Sequence, residues 1–429
     1  MRRHGLLLVL FLAMATVRPG GAQGLGRPGA STIDELVARA LTDNLDLQAA
    51  RAELEAARGR LLQAGLRPNP MLDLGAQQSV TGPDNNLNVG VTLPLDLNRR
   101  KAGRIGVAER EIEQKEAQVL NRAREIEAGV RMKAGEVLAA QRNLRITEML
   151  LDINRQALQL IGDRVRRGAV PALEENLQRV EVHRLDANRQ TLQSRVEVAT
   201  LQLQALVGLS PEAPLSVQGD LRTRPVTLAR DAALARALAA RPDLRMARAE
   251  VAMAQAKIRK EEAEGRWDAS VNVGYMRQNF GYDLSGLTER GELRPITDIF
   301  HYVGGGVTIM LPVRNRNQGN IAAAFAEARA AERREGLATL IVRQEVVAAF
   351  TQYEAAERAL DIYTRGVREG ARQNLEVMHK AYQLGRTTLL EVIAEQRRYM
   401  DIEMGYTEAL QQAYNAAVDI QRAVGAVPR

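Results

Sequence analysis

The sequence predicts a mainly α-helical chain carrying four membrane β-strands, built as an internally duplicated helix–β-hairpin–helix-pair unit. Three observations carry that prediction. Short anchor motifs recur in the same order in two halves of the 429 residues, and helical periodicity runs on for stretches far longer than a globular domain needs. Four segments of about ten residues switch to a period of two, the mark of a strand with one apolar face.

Taken from the start, Arg2, Arg3 and His4 form a basic beginning, Leu6 to Val17 is an apolar run, and Gly20-Gly21-Ala22 supplies small residues before Gln23. This is the pattern of a secretory signal peptide, so residues 1–22 are expected to be removed. The apolar run is about 12 residues, too short to cross a bilayer as a helix, which takes roughly 20. Every later helical stretch carries a charge every few residues, so none of them qualifies as a membrane span. There is no Cys, hence no disulfide framework to trace and no residue for acylation at the mature N-terminus.

Charge excludes one class of partner. The chain has 59 Lys+Arg against 52 Asp+Glu, a formal +7, but acids and bases are interleaved, as in Glu109-Arg110-Glu111. Nucleic-acid binders concentrate basic charge beside stacking aromatics, and aromatics make up only 3% here. The mixture fits long helices with solvated, ion-paired faces.

The repeat divides the mature chain into residues 23–222 and 223–429. Arg39-Ala40-Leu41 reappears as Arg236-Ala237-Leu238, and Ala50-Arg51-Ala52-Glu53 as Ala247-Arg248-Ala249-Glu250, an offset of 197 residues. Pro94 then matches Pro312 at an offset of 218, while Gly168 matches Gly385 and Gly208 matches Gly425 at 217. The offset grows by about 21 residues across the β-like segments and then holds, as two homologous halves with one longer hairpin require.

Within each half the elements follow from local pattern. Leu36, Ala40 and Leu47 keep a helical stripe in the first helix, as do Leu360, Val367, Ala371, Leu375 and Met378 in the last hairpin. From about residue 100 to 161 no Pro intervenes, which allows a helix of about 90 Å that needs coiled-coil neighbours. Val89, Val91, Leu93 and Leu95 alternate with polar or small residues, as do Val303, Val307, Ile309, Leu311 and Val313. Their partner strands are expected at Met71–Ser79 and Ser270–Asn279, giving hairpins at about 71–97 and 269–313. Thr81 to Asn86 closes the first, and 281–300 is expected to be a loop holding the extra residues of the second. Open sheet edges are not tolerated in lipid, and membrane barrels need at least about eight strands. One chain offers four, so several copies must contribute.

This arrangement resembles the TolC or outer-membrane efflux protein family over essentially the whole mature chain. The sharpest local match is Tyr382-Gln383-Leu384-Gly385-Arg386-Thr387-Thr388-Leu389-Leu390-Glu391-Val392, similar to the family's turn between its last two helices. Leu66-Arg67-Pro68-Asn69-Pro70 is similar to the CzcC-like heavy-metal efflux branch. That branch continues with a Gly-Gly-Lys-Arg stretch, where this chain has Leu97-Asn98-Arg99-Arg100-Lys101. The resemblance implies a homotrimer whose strands form a twelve-stranded barrel continued by a periplasmic α-helical barrel. It further implies a non-enzymatic duct in the Gram-negative outer membrane, without cofactor, served by a periplasmic adaptor and an inner-membrane RND-type pump.

By the same resemblance an acid in the tip segment faces the pore. Residue-by-residue matching makes that acid Glu391, with Glu395 one helical turn on and Glu174 at the corresponding first-half position. A threefold ring of carboxylates would favour cations; the plainer alternative is a pair between Glu391 and Arg386 or Arg167. Gly168 and Gly385 are the expected tip turns, Arg386 and Thr387 candidate latch residues, and the grooves beside them the adaptor-contact surface. The four His residues lack metal-ligand spacing, and Gly304-Gly305-Gly306 lies in a strand pattern, not in a phosphate loop. The cargo stays open among heavy-metal cations, drugs and secreted polypeptides, and a periplasmic coiled-coil adaptor is the competing class.

Overall fold

The computed structural model describes residues 31–82, 84–222 and 226–425. The expected signal peptide, 1–22, and Pro83 of the expected first turn lie outside the described residues. The first half contains β1 (Ser31–Thr32), α1 (Ile33–Asp43), α2 (Leu45–Ala64), β2 (Met71–Gln78), β3 (Asn85–Pro94), α3 (Arg100–Arg166), α4 (Ala172–Val207) and β4 (Val217–Gln218). The second contains α5 (Arg230–Ala240), α6 (Pro242–Glu264), β5 (Asp268–Leu287), β6 (Leu293–Met310), α7 (Gln318–Ile362), a π turn at Tyr363–Val367, α8 (Arg368–Gln383) and α9 (Leu389–Val424).

Local chemistry sets the helix ends. Thr32 and Glu35 close α1 with a reciprocal capping box, and the Asn44 side chain accepts from Leu47 N–H to start α2. α3 holds 67 residues without a break, about 100 Å of helix. Its counterpart is continuous from α7 through the π turn into α8. Both long helices begin after a left-handed residue, Arg99 (φ 64°) and Asn317 (φ 60°), which stand 218 residues apart like Pro94 and Pro312.

Equivalent positions also make equivalent bonds. Asn44 Nδ2 donates to the Leu206 carbonyl at 2.8 Å, and Arg241 Nη1 donates to the Ala423 carbonyl at 3.2 Å. Each thus ties the start of a second helix (α2 or α6) to the end of a last helix (α4 or α9). The Arg241 side chain is 1% exposed and pairs with Asp243 and Glu345, so the charge it brings into the interior is compensated there.

The helices pack along their length in layers. Next to the strands, α2, α3, α6 and α7 lie side by side with alanines at the contacts: Ala57, Ala108, Ala117, Ala254, Ala256 and Ala328 are buried. Gly103 lets the backbone of α3 approach that of α6, since a Cβ there would sit 2.9 Å from Lys260 Cα. Midway, α1, α3, α4 and α9 enclose Leu36, Leu47, Val130, Val137, Leu203 and Leu410. Farther from the sheet, Leu150, Leu151, Val182, Leu185 and Met400 join α3, α4 and α9.

One antiparallel sheet has the order β2-β3-β5-β6, with Leu72 opposite Val91, Val91 opposite Val273 and Val273 opposite Gly305. This register gathers Leu72, Leu74, Val89, Val91, Val271, Val273, Val303, Val307 and Ile309 on one face, most of them exposed. Asn88, Thr92, Asn272 and Gln278 lie on the other. There Gly90, Gly274 and Gly304 pair across three strands and leave a trough, and two of the three consecutive glycines, Gly304 and Gly306, lie in mid-strand on this face. Among the described residues the outer edges of β2 and β6 pair with no strand.

One expectation is corrected. Residues 281–300 are not a loop: β5 runs on to Leu287 and β6 starts at Leu293, paired to the end with an irregularity between Gly281 and Ser285. Gly281, Ser285-Gly286 and Pro295 carry the signals of a loop, yet the alternation of Phe280, Tyr282 and Leu284 continues through them. Pro295 is tolerated because β6 is an edge strand and need not donate on its outer side. Only Thr288–Glu292 turns the chain, with the Thr288 amide donating to the Glu292 carbonyl at 2.9 Å.

Candidate functional site

The two turns farthest from the sheet have the same construction. Ala169 N–H donates to the Arg164 carbonyl and Gly168 N–H to that of Val165; Arg386 and Gly385 donate likewise to Ala381 and Tyr382. Each is a Schellman motif, with glycine in the left-handed region at φ 71° and 70°. Gly168 and Gly385 each supply the left-handed residue of a helix-to-helix turn. The turns cap two helix pairs, α3–α4 and α8–α9, held together by Ile161, Leu389 and Ile393 with Val165, Leu177 and Tyr382 around them.

Glu391 lies at the third position of α9, and its carboxylate closes a capping box. Thr388 N–H donates to Glu391 Oε2 at 2.9 Å, Glu391 N–H donates to Thr388 Oγ1 at 3.3 Å, and the Thr387 hydroxyl donates to the same carboxylate. The hydroxyl of Thr387, the Thr388 amide and the Thr388 hydroxyl hold the acid below the usual carboxylate range. Neither Arg386 nor Arg167 pairs with it: Arg167 Nε donates to the Asp163 carbonyl, and Arg386 makes no ion pair among the described residues. The plainer alternative for Glu391, an arginine pair, is thus replaced by a cap that leaves the carboxylate facing solvent.

The other two acids differ. Glu395 is one turn along but mostly covered, its side chain 13% exposed, with Oε1 unpartnered and Oε2 3.5 Å from Arg398. Glu174 is half-buried and accepts from Tyr382 Oη at 2.7 Å, a bond from α8 to α4. Burial and then Glu174 itself push the Tyr382 hydroxyl up to about 12, so it remains a donor throughout the physiological range. Thr387 serves the α9 cap; the hydrogen bond that joins the two helix pairs at the tip is that of Tyr382.

Two carboxylates deeper in the bundle escaped the sequence reading. Glu181, 1% exposed, accepts from Arg184 on its own helix and from Arg397 of α9 at 2.7 Å. Glu403, 2% exposed, is held by Arg142 at 3.2 Å and Arg368 at 2.5 Å, and both guanidiniums lie over the Tyr406 ring. A Glu at a core-facing position of an otherwise apolar stripe is the signal that marks such residues.

Chemically, the tip is a set of hydrogen-bonded turns, with the Glu391 carboxylate facing solvent. Among the described residues no three His, Asp or Glu converge closely enough to hold a metal ion, and no helix is long and apolar enough to cross a membrane.

Comparisons with known proteins agree with this geometry. The family described as "Outer membrane efflux protein" matches residues 36–209 and 233–426. The chain is 26% identical to the cobalt-zinc-cadmium resistance protein CzcC of Cupriavidus metallidurans over 99% of its own length and all of the relative. Among solved structures it is similar to the outer-membrane channel OprN (TM-score 0.73, 20% identity, 92% and 89% of the two chains). It is also similar to CusC (0.73, 17%, 91% of each) and to the open state of the MtrE outer membrane channel of Neisseria gonorrhoeae (0.71, 17%, 92% and 88%). At these identities the solved structures speak for the fold alone.

Proposed function

We propose that this chain, which belongs to the outer membrane efflux protein family, is the exit duct of a tripartite assembly that passes heavy-metal cations out of the cell. The protein is an outer-membrane efflux channel of a Gram-negative bacterium, of a family that works with an adaptor and an inner-membrane pump. The observation that carries the duct is the sheet. Four strands with one exposed apolar face and two unpaired edges cannot rest alone in lipid. Three copies, each pairing its β6 edge with the next copy's β2, close twelve strands into a barrel. The polar face then lines the lumen and the helices continue it into the periplasm. The duplication at about residue 222 gives six similar helix-pair units around that tunnel.

At the inner entrance Glu391 is the pore-facing acid of this reading. Its carboxylate is free to solvent beyond its cap, and three copies make a cation-attracting ring. Glu395 stands behind it, and Glu174 serves the Tyr382 bond. Gly168, Gly385, Arg386 and Thr387 form the surface offered to an adaptor, which in turn meets an RND-type pump.

One observation favours metal cations, the full-length similarity to a protein named for cobalt, zinc and cadmium resistance. Where the heavy-metal branch carries its glycine pair, Asp96 (φ 53°), Asn98 (φ 58°) and Arg99 (φ 64°) adopt left-handed backbone, which Asn and Asp tolerate better than other side chains. Organic-compound efflux through the same fold stays as the second reading. Deleting the gene and testing growth separates them. Sensitivity to cobalt, zinc and cadmium with unchanged antibiotic tolerance supports metals; the reverse refutes them. A protein recovered as a soluble periplasmic monomer would sink the duct itself.

A further inference from the structure

The sheet has two zones with opposite polarity. From Val271 to Tyr275 the large apolar residues of β5 take odd positions, with Val303, Val307 and Ile309 beside them from β6. Above Tyr275 the pattern inverts. Met276 faces Tyr302, Gln278 faces Phe300 and Phe280 faces Asp298, all at even positions on the face that carries Asn88 beside Met276 and Asn272 lower down. Phe280 and Tyr282 pack edge to face at 5.6 Å, and Phe300 and Tyr302 lie 6.4 Å apart, so each pair shares that face. The odd positions of the same rows hold Arg277, Asn279, Gly281, Thr297, Ile299 and His301, with one large apolar residue among them. Tyr275 and His301, joined at 2.6 Å on the odd face, mark the level of the switch.

The inversion begins at Met276, and a few residues later the support falls away. β3 pairs with β5 only as far as Asn85 opposite Asn279; beyond it β5 and β6 are a lone two-stranded ribbon. Eight residues of β5, Phe280–Leu287, carry it about 26 Å farther. A single ribbon is marginal in water and gains stability by covering an apolar face. Phe280 and Tyr282 stand on this ribbon and Phe300 and Tyr302 on the rows just beneath it, where β3 still pairs, and all four are 37–47% exposed. Of five Phe, nine Tyr and one Trp in the chain, these two Phe and two Tyr meet on one small patch.

Resting on the barrel reading above, the face that bears the patch is continuous with the lumen wall, so in the trimer the three patches confront one another across the axis. We propose that the β5–β6 ribbons of three copies lean together above the barrel and close its outer mouth with an aromatic constriction formed by Phe280, Tyr282, Phe300 and Tyr302. Such a constriction hinders ions and water by dewetting without binding them, and it stands in series with the helical tip.

The absence of Cys permits a direct test. Tyr282→Cys places one thiol per chain on the patch, and Thr297→Cys places one on the opposite face of the same ribbon. Each variant is purified from outer membranes as the assembled protein and treated with a short bismaleimide. Several-fold more covalent dimer from Tyr282→Cys than from Thr297→Cys is expected, and equal yields from intact trimers overturn the constriction. If no trimer forms for the unmodified chain, the barrel reading fails instead. A second readout guards against distorted variants. In a Tyr382→Phe background, replacing Phe280, Tyr282 and Phe300 by Ser should raise single-channel conductance several-fold, and unchanged conductance overturns the proposal.

Discussion

Replacing Tyr382 by Phe removes one oxygen and leaves the ring in the tip core. The lost bond, 2.7 Å to Glu174 Oε2, joins α8 to α4 across the two helix pairs. A hydrogen bond to a charged acceptor contributes about 1.5–3 kcal/mol, and half-burial of both partners puts this one near about 1.5. Glu174 gains no other donor in exchange, so the loss falls on the arrangement in which the two helix pairs are docked at the tip. In a trimer whose three tips part together the effect is about 4.5 kcal/mol, roughly a thousandfold change in the ratio of closed to open channels. Planar-bilayer recording on purified trimers measures that ratio as opening frequency. Glu174→Gln should give a smaller rise, since a neutral acceptor keeps a weaker bond. A Tyr382→Phe trimer that opens no more often than the unmodified protein would refute the tip bond as the restraint.

Gly385→Val forces a β-branched residue to φ 70° and should destroy the tip turn; export is expected to be lost while trimers persist on gels, and normal export would contradict the assignment. Thr388→Ala removes the hydroxyl that caps α9 and should cost about 1 kcal/mol locally, seen as faster amide exchange in the first turn of α9 but not of α4. Gly135→Ala would set a Cβ 2.8 Å from the Tyr414 ring in the packed middle layer, and a drop of about 2 kcal/mol in unfolding free energy is expected by denaturant titration. Glu181 has a pH signature. Burial opposes its charge, but bonds from Arg184 and Arg397 outweigh that and hold its carboxyl below the ordinary value. The stability it contributes is thus present above about pH 4.3 and is lost as pH falls through the lower folded value. Glu181→Gln should flatten the acid limb of a thermal-stability profile, and an unchanged limb would argue against the bridge.

Much of the architecture was legible because it rests on periodicity and on glycine. Gly168 and Gly385 announce left-handed caps, Pro94 and Pro312 mark strand ends, and the alternation of Val89, Val91 and Leu93 fixes which face is apolar. The upper part of the second hairpin was not, because Gly281, Gly286 and Pro295 outweighed the alternating aromatics between them. At the tip, sequence spacing set Glu391 beside the Gly385 turn but could not tell a solvent-facing cap from an ion pair, nor show that Glu395 one turn later is covered. The Tyr382–Glu174 bond joins residues 208 apart and depends on the docking of two helix pairs, which no local pattern encodes. The buried carboxylates Glu181 and Glu403 depend on the same docking.

The unequal hairpins have a consequence for symmetry. The two halves match at the tip, where Gly168 and Gly385 make the same turn, but differ at the sheet's far end, where the first hairpin turns back near Ser79 and the second runs on to Leu287. In the trimer proposed here the periplasmic end is nearly sixfold and the outer end only threefold. A partner docking at the tip meets six almost interchangeable grooves. A molecule approaching from outside meets a rim of three tall ribbons alternating with three low gaps.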